Sequence, residues 1–342
     1  MAKNKILLGL VSLWVGLALA SRRAPASDLY LQAEQIQKNQ GDKQAIEYLW
    51  KNSEKLERPE LMYLARLLVK QKDFKEILRV SEIALAKNPQ DAEFLTFQGK
   101  AYLETRKDKK GLEKAQESLR SAIEINPKFE PAYLILDDYY ERQDELNKTL
   151  KRPLRFLQTR RLLFEDLIQH LGEQHLYAQK LCHINTLDGV NDQALKHCRK
   201  ALQLQKDDVT SQLNLAQVYK QTGEKDLARN AFKEAVKNPK RTNSAFEFFG
   251  LFLEEEKNFS EGYLQYQACV KAFPKADSCW RGIGSTSAAL KKWQESYESF
   301  QKLCRKDRKW SGDVRKASAL AKELGVFDWA QKLLELSLNC NI

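Results

Sequence analysis

Cys182 and Cys198 stand among four histidines, His170, His175, His183 and His197. Thiolate sulfur with imidazole is a ligand set for zinc or another transition metal. The spacing argues against that use. No C-x-x-C pair occurs in the 342 residues, and no C-x-x-C-H for covalent haem, so no metal and no cofactor is assigned. Catalytic patterns are missing too: there is no Gly-rich phosphate loop, no G-x-S-x-G elbow and no H-E-x-x-H helix. The many acidic residues are scattered at helical spacing, as on solvated helix faces. The chain is read as a non-enzyme.

A second chemistry is electrostatic. From Leu146 to Phe164 the chain carries Lys148, Lys151, Arg152, Arg155, Arg160 and Arg161 and no acidic residue, with Phe156, Leu157, Leu162, Leu163 and Phe164 interleaved. Lys302, Arg305, Lys306, Arg308 and Lys309 form another cluster before Trp310, in a chain of net charge +11. Such patches hold phosphate-rich lipid, nucleic acid or acidic protein, or serve only as solvated faces.

The amino end decides among these. Lys3 and Lys5 precede an uncharged run, residues 6–20, that closes on Ala18-Leu19-Ala20 before Ser21. These are the parts of a secretory signal at residues 1–20, with Ala24-Pro25-Ala26 as a second small-x-small site. At 1.5 Å per residue the run reaches ~22 Å, short of the bilayer core unless flanking residues contribute, in which case it is an anchor. The expectation is an exported chain, periplasmic or anchored in the inner membrane facing the periplasm. There it would meet anionic lipid, envelope glycan or acidic protein, and not nucleic acid.

Positioning such groups falls to helices. With 14 Gly and 8 Pro, the chain has about half the usual share of turn residues, which excludes a turn-dense β-sandwich or propeller. At 43% hydrophobic and 30% charged it has ample material for a core. Small residues recur every 34 positions, at Cys182, Ala216, Gly250, Gly284 and Ser318. Twelve further on stand Ala194, Ala228, Gly262, Ser296 and Ala330, and four beyond those Cys198, Phe232, Tyr266, Phe300 and Leu334. This stride predicts antiparallel helix pairs whose small residues let the backbones approach while the large one fills the space beside them. Apart from Pro25, the prolines fall where this register begins or ends a helix. Gly223 falls at a helix carboxyl end.

The pattern resembles the tetratricopeptide repeat. Residues 209–242 carry Leu215, Ala216, Tyr219, Ala228, Phe232 and Ala235 in its places; residues 243–276 carry Phe246, Gly250, Leu253, Tyr266 and Pro274; residues 277–310 carry Trp280, Gly284 and Phe300. Residues 58–91 and 92–129 match similarly, and weaker copies lie at 26–57, 175–208 and 311–342. The resemblance implies an all-α, right-handed solenoid of about nine helix pairs and a concave groove, lined by first helices, that holds a partner's peptide or helix. By register, the groove residues include Gln179, Lys180, His183, Asn214, Gln217, Lys220 and Arg281. The amides suit a peptide backbone and the cations an acidic group. Several groove positions depart from the family's carboxylate-clamp units, so that ligand is not assigned.

One unit departs from the stride. Residues 130–174 have Asp137 where a small residue belongs, and a second helix expected from Pro153 through Leu171. The expected organisation is an amino-terminal array at 26–144, an atypical basic segment at 145–174 and a carboxyl-terminal array at 175–342. Within the last, Cys182 faces Cys198 in one pair, and Cys269 and Cys279 straddle one turn. Both are candidates for disulfides in an oxidising compartment, or else for packing as small apolar residues. The function expected is a non-catalytic scaffold of the bacterial cell envelope, binding a protein through its groove. The alternative is a basic adaptor docking on anionic lipid or glycan through residues 148–161.

Overall fold

The computed structural model describes residues 27–106 and 108–340. The expected signal or anchor at residues 1–20 lies outside the described residues. Among those described, no helix is long and apolar enough to cross a membrane. The described residues divide into two compact units, with the boundary between residues 172 and 173.

The described residues form 18 α-helices and two short 3-10 turns, with no strand. In the first unit these are α1 (Asp28–Gln40), α2 (Asp42–Lys51), α3 (Arg58–Gln71), α4 (Phe74–Lys87), α5 (Ala92–Thr105), α6 (Lys109–Ile125), α7 (Glu130–Thr149) and α8 (Leu157–Leu171). The second unit holds α9 (His175–Asp188), α10 (Asn191–Leu204), α11 (Val209–Gln221), α12 (Lys225–Lys237), α13 (Asn243–Glu255), α14 (Phe259–Ala272), α15 (Asp277–Ala289), α16 (Trp293–Cys304), α17 (Ser311–Glu323) and α18 (Phe327–Leu338). Each odd-numbered helix pairs with the next, and odd-numbered helices also touch one another, as α5 does α7, α9 does α11 and α13 does α15. Each unit is thus a stack of helix pairs, an α-solenoid.

Local chemistry sets the helix ends. The side chains of Asp73, Asp91, Asp208 and Asn258 accept backbone N–H groups in the first turns of α4, α5, α11 and α14. Glu57 and Glu60 form a capping box on α3, and Pro59 and Pro131 occupy first turns, where no N–H is missed. Gly223, at φ +82°, closes α11 in the left-handed conformation.

The small-residue stride is the packing device. A Cβ on Gly250 would lie 2.3 Å from the Tyr266 ring, and one on Gly284 would lie 2.8 Å from the Phe300 ring. Ser296 Oγ donates to the Gly284 carbonyl at 2.8 Å and Ser318 Oγ to the Ala330 carbonyl at 2.6 Å, so residues twelve apart do face each other. Phe232, Tyr266 and Phe300 are buried, whereas Leu334 is 45% exposed on α18, the last described helix.

The helix expected from Pro153 begins instead at Leu157. The buried Asp144 carboxylate accepts the backbone N–H groups of Arg155 (2.8 Å) and Phe156 (3.2 Å), which holds the preceding residues out of helical geometry. Phe156 then stacks on Tyr140 at 4.8 Å, and with Leu163 it packs into the core of α7, so α8 belongs to the first unit.

Candidate partner-binding faces

In the second unit the expected groove residues lie on the first helices, yet they satisfy one another. Gln179 on α9 donates to Asp208 at the start of α11 (2.8 Å). His183 Nδ1 lies 3.3 Å from Asn214 Oδ1, again joining α9 to α11. Lys220 on α11 grips Glu255 on α13 at 2.6 Å and 2.5 Å. Arg281 on α15 reaches Glu254 on α13 at 3.3 Å and the Tyr266 hydroxyl at 3.0 Å, while Tyr266 and Ser285 each donate to Glu254 at 2.6 Å. Burial alone would lower the Arg281 pKa. The charges of Tyr266, Glu254, Asp313 and Glu247 outweigh it and raise the guanidinium above its ordinary value. Burial and the Glu254 charge push the Tyr266 phenol well above the usual range. Lys180 is engaged within the fold as well, and Gln217 lies partly buried on α11. Lys220 and Arg281, expected to meet an acidic ligand, each hold a carboxylate from the neighbouring repeat.

The first unit has the complementary arrangement. Met62 and Arg66 on α3, Thr96 and Phe97 on α5, and Phe129 and Pro131 at the start of α7 line a shallow cleft holding about 20 Å³ of free space. Its floor of Met62, Thr96 and Phe97 is buried. Glu93, at its edge, is held by Arg58 at 2.7 Å. Arg66 is partly buried, and its side chain has no hydrogen bond or ion pair to any described residue. Nearby cations are occupied: Lys100 holds Glu104 at 2.7 Å and Arg142 holds Asp138 at 2.7 Å. The position one stride after Arg66 is Lys100, which cannot neutralise it. Sequence reasoning missed this cleft.

The basic stretch divides. Arg160 is 1% exposed, its Nε 2.6 Å from Asp137 and its Nη2 2.8 Å from Glu141. Its placement in a surface patch is corrected, because Asp137, on the preceding helix in the slot of a small residue, draws it into the core. Burial would lower the Arg160 pKa, but the Asp137 and Glu141 charges and hydrogen bonds raise it instead. Arg161 is also engaged within the fold. Lys148, Lys151, Arg152 and Arg155 remain exposed.

The four histidines go to separate neighbours. His170 Nδ1 sits 2.9 Å from the Asp166 carbonyl, and His175 Nε2 lies 3.3 Å from Asp208. His197 is buried, and burial followed by the Lys196 charge lowers its pKa. Among the described residues no group of three or more His, Cys, Asp or Glu side chains could hold a metal ion. The structure brings Cys182 to Cys198 (Cα atoms 4.7 Å apart), Cys269 to Cys279 (5.8 Å) and Cys304 to Cys340 (4.4 Å), each in disulfide contact. All six cysteines fall in the second unit. The third pairing was not foreseen; its separation of 36 residues, close to one stride, was the signal.

Comparison with known proteins supports the repeat assignment. Residues 209–240, which span α11 and α12, match the Tetratricopeptide repeat family. The crystal structure of a tetratricopeptide repeat protein from Parabacteroides merdae superposes with a TM-score of 0.55 at 16% identity, covering 82% of this chain and 98% of that one. The Type IV pilus assembly protein PilF of Pseudomonas aeruginosa is 26% identical over 122 residues, which are 35% of this chain. That match spans about half, 48%, of the length of PilF. The crystal structure of PilW, a widely conserved type IV pilus biogenesis factor, gives a TM-score of 0.48 at 17% identity over 64% of this chain and 94% of that one. The Parabacteroides merdae superposition shows the fold to be an α-solenoid of the kind that tetratricopeptide repeats build.

Proposed function

We propose that this protein is a non-catalytic scaffold of the bacterial cell envelope that seats a partner's peptide or helix on the first helices of its amino-terminal unit. The observation that carries the reading is Arg66, a partly buried guanidinium with no partner among the described residues, beside an apolar cleft. A guanidinium with no side-chain hydrogen bond to a described residue keeps its donors available for a ligand's carboxylate. The fitting ligand is a segment with an acidic group next to a small apolar side chain. The carboxylate would meet Arg66 and the apolar group would enter between Phe97 and Phe129. The amides and cations of the second unit serve instead to staple successive repeats.

Three observations support the envelope setting. They are the apolar run at residues 6–20, the three cysteine pairs, and the partial likeness to PilF, a type IV pilus assembly protein. Disulfides persist in oxidising compartments, the periplasm among them.

The test is a peptide array probed with the full-length chain in mild detergent. Enriched sequences should pair an acidic residue with an apolar one, and Arg66→Ala should weaken them by about 10-fold or more, the range for a hydrogen bond to a charged group. Enriched peptides that bind wild type and Arg66→Ala equally would overturn the assignment.

A further inference from the structure

The turn between α7 and α8 has a composition that groove binding does not explain. At the end of α7, Leu146 is 52% exposed and Leu150 is 50% exposed, both large apolar side chains left in water. Between and just after them stand Lys148, Lys151, Arg152 and Arg155, all exposed. Lys148 lies 3.9 Å from Glu145, a loose and solvated contact. Lys151, Arg152 and Arg155 have no side-chain hydrogen bond or ion pair to any described residue. Arg160, a few residues on, shows that the same stretch neutralises a cation where the fold needs one buried.

This turn is built rather than slack. Lys151 takes the left-handed conformation, φ +54°, and the Arg152 N–H bonds back to the Asn147 carbonyl at 2.8 Å, the six-to-one bond of a Schellman end. Buried Asp144 then ties down the N–H groups of Arg155 and Phe156. Two clamps thus fix the turn that carries both the leucines and the cations.

Exposed leucines side by side with uncompensated cations match a bilayer interface. There apolar side chains enter the headgroup boundary and Lys and Arg meet lipid phosphates. An acidic protein would satisfy the cations but leaves the leucines unexplained. We infer that the α7–α8 turn is a membrane-docking tip that binds an anionic lipid surface through Lys151, Arg152 and Arg155 and inserts Leu146 and Leu150. This goes beyond groove binding and does not depend on it. It also narrows the basic stretch at 148–161 to its exposed end.

Each cation near an anionic surface strengthens partition by about fivefold, so the three together amount to about 100-fold. The experiment is hydrogen–deuterium exchange on the full-length chain with vesicles of phosphatidylglycerol and phosphatidylethanolamine, against vesicles of phosphatidylcholine alone. Because residues 6–20 can enter either vesicle, the readout is local: exchange of the peptide covering residues 146–156. Slowing with the anionic vesicles only is expected. It should vanish in Lys151→Gln/Arg152→Gln/Arg155→Gln, and in Leu146→Ser/Leu150→Ser it should survive at low salt but be lost at physiological salt. Circular dichroism and unchanged exchange in α3 and α5 report that the variants fold. Equal slowing on both vesicle types, no slowing on either, or slowing by polyglutamate with none by anionic vesicles would overturn the inference. The last result would assign the tip to an acidic protein.

Discussion

Replacing Arg160 by methionine is the sharpest perturbation of the first unit. The guanidinium sits 2.6 Å from Asp137, whose side chain is 2% exposed, and 2.8 Å from Glu141, whose side chain is 28% exposed. Arg160→Met removes the ion pairs that the guanidinium makes with buried Asp137 and half-buried Glu141. Breaking a buried pair from one side costs about 3–5 kcal/mol. Asp137→Ala should destabilise too, though less, because Glu141 still holds the guanidinium at 2.8 Å. The double variant Asp137→Ala/Arg160→Met removes both charges, and its loss should fall short of the sum of the singles by about 2–3 kcal/mol. Urea titration of the full-length chain, read by hydrogen exchange of the α7 and α8 peptides, follows this unit separately from the other. A loss below about 1 kcal/mol for Arg160→Met, or losses that simply add, would return Arg160 to the surface and refute the reasoning.

Other outcomes follow from the second unit. Peptide mapping without reductant should yield the pairs Cys182–Cys198, Cys269–Cys279 and Cys304–Cys340; full reduction should destabilise the second unit and leave exchange in α1–α8 unchanged. A loop the size of the one between Cys182 and Cys198 is worth about 3 kcal/mol. Gly284→Ala should destabilise by about 1–3 kcal/mol despite alanine's better helix propensity, because its Cβ meets the Phe300 ring; Phe300→Leu should recover part of the loss in thermal melts. His197 has a folded pKa below its unfolded value of 6.5, so its contribution is complete above that pH and is lost as pH falls through 6.5 toward the folded value. The stability difference between pH 8 and pH 5.5, measured by urea titration, should therefore shrink in His197→Gln.

The helix pairs were legible in the sequence because the stride is a packing requirement. Gly250 and Gly284 sit every 34 residues where an aromatic ring leaves no room for a Cβ, and composition cannot hide such a constraint. The side-chain partners were harder to read. Arg160 looked like one more cation in a run without acids, because Asp137 and Glu141 lie on the preceding helix. Asp137 in the slot of a small residue was the visible sign that something charged had to meet it. Register told which residues lie on the first helices, but not that neighbours about one stride apart would pair. Gln179 with Asp208, Lys220 with Glu255 and Glu254 with Arg281 are separated by 29, 35 and 27 residues. Searching for complementary groups at that separation finds these staples.

The central claim is that a partner sits on α3, α5 and α7 and not on the stapled face of the second unit. Photo-crosslinking with a benzophenone-bearing version of an array-selected peptide, followed by mapping of the adducts, measures this directly. Adducts on Met62, Phe97 or Phe129 that disappear in Arg66→Ala are predicted. Adducts on α9, α11 or α13, at residues such as Phe248 and Leu251, that persist in Arg66→Ala would contradict it.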